Sequence, residues 1–178
     1  DAAASRMTGV SRSRVAELTP GPQVLRLGQG WPGSPARRQD LPDWHLDKLA
    51  RLHGRLRICA AHENTLQRDY ITEKPFDAFA LGAIPAVVAD AGHRLFDLIA
   101  PEAMLNTAAV APEVAAARIA SLVPDLILAE AWRDSAQALL ARFRDTAGIL
   151  QERQRIADTC IKELQQLLHE EPAGAPSS

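Results

Sequence analysis

Apolar residues recur along the chain at both helical and strand spacings, and the way the two alternate predicts a mixed α/β fold. Ser11 to Leu18 reads as a short helix ended by Pro20-Gly21, and the apolar run Val24 to Leu27 reads as a strand. Gly28 to Asp43, rich in Gly, Pro and Arg, is a loop. Trp44, Leu46, Leu49 and Leu52 then follow helical spacing, with Asp43 as N-cap and Gly54 as the C-terminal stop. Arg55 to Ala61 predicts a strand with one face well buried. His62 to Asp69 is turn-like, and Phe76, Phe79, Ala80 and Leu81 predict a helix ended by Gly82. Ile84 to Val88 is the next strand.

Strand, loop, helix and strand in this order make a parallel βαβ unit of an open sheet. Such sheets bind ligands beyond the carboxyl ends of their strands, which directs attention to His62 to Lys74. Farther on, Leu105-Asn106 predicts a third short strand, and Pro112 to Leu122 an Ala-rich helix. Two more helices follow from about Asp125 to Glu171, with a joint near Asp145 to Gly148. The last, Gln151 to Leu168, aligns Ile156, Cys160, Leu164 and Leu168 on a stripe read as a packing face. The Pro-, Ala- and Ser-rich end of the chain reads as a disordered tail.

Composition narrows the function classes. The chain has 178 residues, long enough for one domain with a real core, and its hydrophobic fraction of 47% is that of a folded globular protein. A net charge of -2 supplies no global field for nucleic acid or an anionic membrane, so any anion must be bound locally. No apolar run is long enough to span a bilayer, and Asp1 to Arg6 lacks a signal-peptide pattern. The first residue is Asp rather than Met, which suggests a truncated or processed chain. Cys59 and Cys160 are expected to be buried, reduced thiols. His45, His53, His62, His93 and His169 show no metal-ligand spacing and no DxD triplet occurs, so no protein metal site is expected.

The segment His62-Glu-Asn-Thr-Leu-Gln-Arg-Asp-Tyr-Ile-Thr-Glu-Lys74 is unusually polar for a connection between two buried elements. A helix starting around Thr72 to Pro75 would aim free N–H groups at the loop, and Lys74 would add a positive charge, which suits an anion such as a diphosphate. Glu73 offers a carboxylate for sugar hydroxyls and Tyr70 a phenol that stacks or hydrogen-bonds. From the residues alone, a ligand loop and a merely solvated, capped loop both stand.

The run Arg57-Ile-Cys-Ala-Ala-His-Glu63-Asn64-Thr65, followed by Asp69-Tyr70-Ile71-Thr72-Glu73-Lys74, Asp77-Ala78 and Gly82-Ala-Ile84-Pro85, resembles the signature of the α-1,3-fucosyltransferases, glycosyltransferase family 10. Pro101 to Asn106 is similar to a further family segment, and the resemblance covers roughly Ser5 to Leu122. It implies a Rossmann-like parallel sheet forming the C-terminal, donor-binding half of a GT-B glycosyltransferase, followed by C-terminal helices. The implied activity is inverting transfer of fucose from GDP-fucose to a glycan hydroxyl. Tyr70, Thr72, Glu73 and Lys74 would surround the nucleotide and diphosphate, and Glu63 and Asn64 would support the site. Arg12, with Arg14 as a rival, would hold the diphosphate. No cofactor is implied beyond the donor. The catalytic base is expected outside this chain, in an N-terminal domain that also binds the acceptor.

In this sequence His62 replaces the family's aromatic residue, Ala89 replaces a glycine, and Pro75 follows Lys74, which makes Lys74 a candidate N-cap. The domain plan that results is a GDP-sugar-binding domain over residues 1–124, a helical extension over 125–171 and a disordered tail over 172–178. The location implied is cytoplasmic or peripheral for a bacterial chain and Golgi membrane for a truncated eukaryotic one. Two alternatives remain: a GT-B donor domain for another nucleotide sugar, and a truncated non-catalytic remnant that binds sugar nucleotides.

Overall fold

In a computed structural model, residues 9–27, 31 and 40–169 are described. The stretch before Gly9, most of the Gly- and Pro-rich loop and the C-terminal tail lie outside the described residues. The chain divides into two compact units, the first ending at Ala136 and the second beginning at Gln137.

The first unit is mixed α/β. Its elements are α1 (Gly9–Leu18), α2 (Trp44–Leu52), β1 (Ile58–Ala60), α3 (Lys74–Ala80), β2 (Ile84–Val87), β3 (Leu105–Asn106) and α4 (Pro112–Ser121). Two 3-10 turns, Arg94–Asp97 and Pro101–Ala103, lie between β2 and β3, and α5 (Leu126–Arg144) runs across the unit boundary. The three strands form a small parallel sheet in the order β1-β2-β3.

All four residues of β2 are buried, as expected of a central parallel strand covered on both faces. Pro85 is tolerated there for a geometric reason. Ile84 donates to Arg57 O and Ala86 accepts from Ala61 N, so Pro85 turns its missing N–H toward β3. The first paired residue of β3, Leu105, lies opposite Ala86, one position farther along, so no ladder bond is lost. Small side chains let α3 settle close to the sheet: Ala78, Ala83 and Ala86 are fully buried, with Leu81 beside them. From α5, Trp132 Nε1 donates to Ala83 O at 3.0 Å while its ring stacks on Phe79.

Polar contacts tie α2 to α3. Asp43 caps α2 by accepting from His45 N and Leu46 N at 2.8 and 3.0 Å. Gly54, at a positive φ of 67°, follows the end of that helix and donates to Leu81 O. The buried Asp77 carboxylate on α3 accepts from Lys48 and from His45 Nε2, the latter at 2.6 Å. A separate small cluster joins α1 to α4 through Val15, Ala115 and Ala116.

The expected strand over Val24 to Leu27 does not form. Leu25 and Leu27 are exposed, and Arg26 reaches back to cap α1, its guanidinium donating to Ala16 O and Thr19 O at 2.7 Å each. The β1 strand is shorter than the apolar run that predicted it, and the last helix, α6 (Thr146–His169), starts well before Gln151. Asp145 is the joint and accepts from Ala147 N at 2.9 Å.

In the second unit the apolar stripe is open. Ile156, Leu164 and Leu168 are exposed, as is Cys160, so the packing-face expectation and the buried-thiol expectation both fail there. Correct helical spacing made the stripe, and no described element of this unit covers it. Cys59 is half-buried on β1, where burial raises its thiol pKa. No helix among the described residues is long and apolar enough to cross a membrane.

Candidate functional site

The segment after β1 lies at the carboxyl end of the sheet, and its polar residues converge on one carboxylate. Glu63, itself buried, accepts from Thr72 N at 2.7 Å, from Thr72 Oγ1 at 2.8 Å and from Lys74 Nζ at 3.2 Å. Lys74 Nζ also donates to Thr72 Oγ1 at 2.9 Å and lies 3.6 Å from Glu73 Oε1. Residues nine to eleven positions apart are thereby folded into one knot, which fixes the loop against the start of α3. The resulting rigidity is what a binding loop requires.

Asn64 stands at the rim, and its Oδ1 accepts from the Arg12 guanidinium, which arrives from α1. Arg14, the rival, faces elsewhere and pairs with Glu17 at 3.3 Å on the surface. Tyr70 is exposed, and its backbone N–H is held by Gln67 O. Glu63, Thr72, Glu73 and Lys74 are therefore linked by direct contacts, and Arg12 with Asn64 forms a second pair beside them through the Glu63–Asn64 chain; no contact of the Tyr70 side chain joins either set among the described residues.

The electrostatics differ from the expected strongly positive helix start. Lys74 is the first residue of α3, with Pro75 behind it, so Glu73 rather than Lys74 occupies the cap position. Glu73 makes no side-chain cap bond, and α3 has only 7 residues. Two carboxylates flank the Lys74 ammonium, so its charge is already compensated. Glu73 is nonetheless held ionised: desolvation pushes its pKa up, but the backbone hydrogen bond and the charges of Lys74 and Lys48 outweigh it, so the net shift is down. An anion would be attracted chiefly by Arg12, whose guanidinium has five N–H donors and gives one to Asn64 among the described residues.

His62 fills the aromatic position. It is buried, its Nε2 lies 3.4 Å from Thr107 Oγ1, and its pKa falls from 6.5 to about 4, first because burial disfavours the cation and second because Arg12 is near. A neutral, buried imidazole there packs among its neighbours. Ala89 is also buried, and Asn106 clasps its backbone by accepting from Ala89 N at 3.1 Å and donating to Ala89 O at 2.8 Å.

Sequence reasoning passed over one neighbour. A small cleft between the ends of β1 and β2 is lined by Ala61, Glu63, Ile71, Val87, His93 and Leu95, among others. His93 caps the Arg94–Asp97 turn, its Nδ1 accepting from Leu95 N at 3.1 Å. Burial lowers its pKa against the opposing charges of Asp90, Glu63 and Asp69. Its signal in the sequence was position alone, in the Asp90-Ala91-Gly92-His93 turn beyond the carboxyl end of β2. Among the described residues no group of three or more His, Cys, Asp or Glu side chains is arranged to hold a metal ion.

No family model matches the chain, and comparison with curated proteins and with solved structures finds no match.

Proposed function

We propose that this chain is the donor-binding part of an inverting glycosyltransferase of GT-B architecture, which transfers fucose from GDP-fucose to a glycan hydroxyl. The observation that supports this reading is the convergence of Arg12, Asn64, Glu63, Thr72 and Lys74 at the carboxyl end of a parallel strand. Glu63, Asn64, Thr72 and Lys74 belong to the run on which the family resemblance rests, and Arg12 is the arginine that the resemblance nominates for the diphosphate.

Chemically, the arrangement serves a leaving diphosphate. The Arg12 guanidinium can hold two phosphate oxygens at once, and the Lys74 ammonium, held by Glu63, Thr72 and Glu73, would add its charge beside them. As the glycosidic bond breaks, charge grows on the diphosphate, and donors already fixed in place stabilise that charge without reorganising. The Glu63 knot is what keeps Lys74 aimed. In this reading the base that deprotonates the acceptor belongs to a separate acceptor domain, and this chain contributes binding and leaving-group stabilisation.

Calorimetry of the 178-residue chain with GDP, GDP-fucose and UDP tests the proposal. GDP and GDP-fucose should bind, with UDP weaker by at least about tenfold. Replacing Arg12 or Lys74 by Ala should weaken GDP binding by about tenfold each, the loss of one charge-assisted contact of about 1.4 kcal/mol. No binding of GDP, or a preference for UDP, overturns the proposal.

A further inference from the structure

The apolar residues that α6 leaves exposed fall into a heptad frame. With Leu150 at position d, the seam runs through Leu150, Gln154, Ala157, Ile161, Leu164 and Leu168, alternately d and a. Its large members Leu150, Ile161, Leu164 and Leu168 are 57%, 52%, 59% and 83% exposed, so the seam is open along the helix. Every other heptad frame of α6 puts at least one of Arg153, Arg155, Asp158 and Glu163 at a or d, so this frame alone keeps charge out of the seam. Gln154 is its one polar member, and a single uncharged polar residue at an a position fixes register at some cost in stability. Glu152 and Arg155, paired at 3.0 Å, fall at the outer positions f and b.

The charges beside the seam decide what covers it. Arg153, Arg155 and Lys162 are balanced by Glu152, Asp158 and Glu163, whereas a helix that lies on an anionic membrane has a predominantly basic polar face. Arg153 stands at g and Asp158 at the following e. When two copies of α6 run parallel and in register, each g residue meets the other helix's following e residue, so Arg153 of each copy faces Asp158 of the other and both pairs attract. Asp158 already accepts from the seam residue Gln154, through Nε2 at 2.8 Å, and so leans toward that interface. The same register brings the two Gln154 amides together, where each can bond the other. An antiparallel pair overlapped along the whole seam would instead set Gln154 against Leu164 and Asp158 against Asp158, burying an unmatched amide between repelling acids. We propose that α6 pairs with α6 of a second copy of this chain as a parallel, in-register, two-stranded coiled coil. This association is independent of the donor proposed for the first unit.

Sedimentation equilibrium of the intact chain from about 1 to 200 μM tests the pairing, with helix content followed by circular dichroism. The mass should rise from that of one chain toward that of two. Ile161→Asp puts a charge into the seam and should weaken association by about a hundredfold or more. Arg153→Asp opposes acid to acid on both flanks and should weaken it by about tenfold, and adding Asp158→Arg should return it to within about threefold of wild type. That rescue is a readout that a change in the folding of the single chain would not give. Gln154→Leu should tighten the pair by removing the polar layer. A single-chain mass at the highest concentration, an oligomer larger than two, or a dimer indifferent to Ile161→Asp overturns the proposal. So does a chain that stays single and binds vesicles of phosphatidylserine and phosphatidylcholine instead. A dimer that Asp158→Arg fails to restore overturns the parallel register.

Discussion

Replacing His62 by Phe should remove a specific part of the pH dependence of stability. In the folded chain the imidazole is neutral, with a pKa of about 4 against 6.5 for the free side chain. The unfolded state therefore binds more protons between those values, and stability rises with pH across that window. It is fully present above pH 6.5 and is lost as pH falls toward 4. The gap corresponds to about 3 kcal/mol at its limit, and to about 2 kcal/mol between pH 7 and pH 5. For a chain of this size, about 2 kcal/mol lowers the melting temperature by about 4 to 8 °C. Thr107 tolerates the change because its hydroxyl keeps its bond to Val87 O at 3.0 Å. Thermal melts of wild type and His62→Phe at pH 7 and pH 5 provide the comparison. Wild type should lose these degrees, and the variant should keep most of them. His93 shifts in the same direction, so a His62→Phe, His93→Asn double variant should be flatter still. An unchanged slope between pH 5 and 7 in His62→Phe would refute the buried, neutral assignment whatever the variant's absolute stability.

Three further outcomes follow from contacts in the first unit. Glu63→Ala strands Thr72 N–H and the Lys74 ammonium and should destabilise by about 2 to 4 kcal/mol in urea unfolding, whereas Arg14→Ala should fall within about 0.5 kcal/mol of wild type. Asp77→Ala removes the acceptor shared by His45 and Lys48, and a loss of about 1 to 3 kcal/mol is expected; a neutral result would mean that the α2–α3 clasp is not formed in solution. Gly82→Ala forces a Cβ at φ 74° where surrounding space is open, so the cost should be the backbone strain alone, about 1 kcal/mol by melting, with no change in nucleotide affinity.

Local chemistry made much of the fold readable from the sequence. Asp43 before a helical apolar spacing, and Gly54 and Gly82 after helical runs, mark ends through capping and positive φ, which are properties of the residues themselves. The continuous apolar run Ile84 to Val87 and the Ala-rich stretch of α4 likewise carry their own signals. For the site, the density of polar residues after β1 was enough to single out the loop that holds Glu63, Thr72 and Lys74. It was not enough to show that Glu63 binds the other two, because a buried carboxylate and an exposed one look alike in a sequence.

Only the tertiary structure decided what depends on partners distant along the chain. Among the described residues, Val24 to Leu27 has the composition of a strand but no strand paired with it, and the Ile156 to Leu168 stripe has helical spacing but no cover within its unit. The polar loop was visible in the sequence, but its charge balance was not, since two carboxylates compensate Lys74 and leave Arg12 as the principal attraction. His93 entered the site by the same route. Hydrogen-bond capacity and helical spacing are written residue by residue, whereas burial, pairing and net local charge are sums over neighbours that only the folded chain brings together.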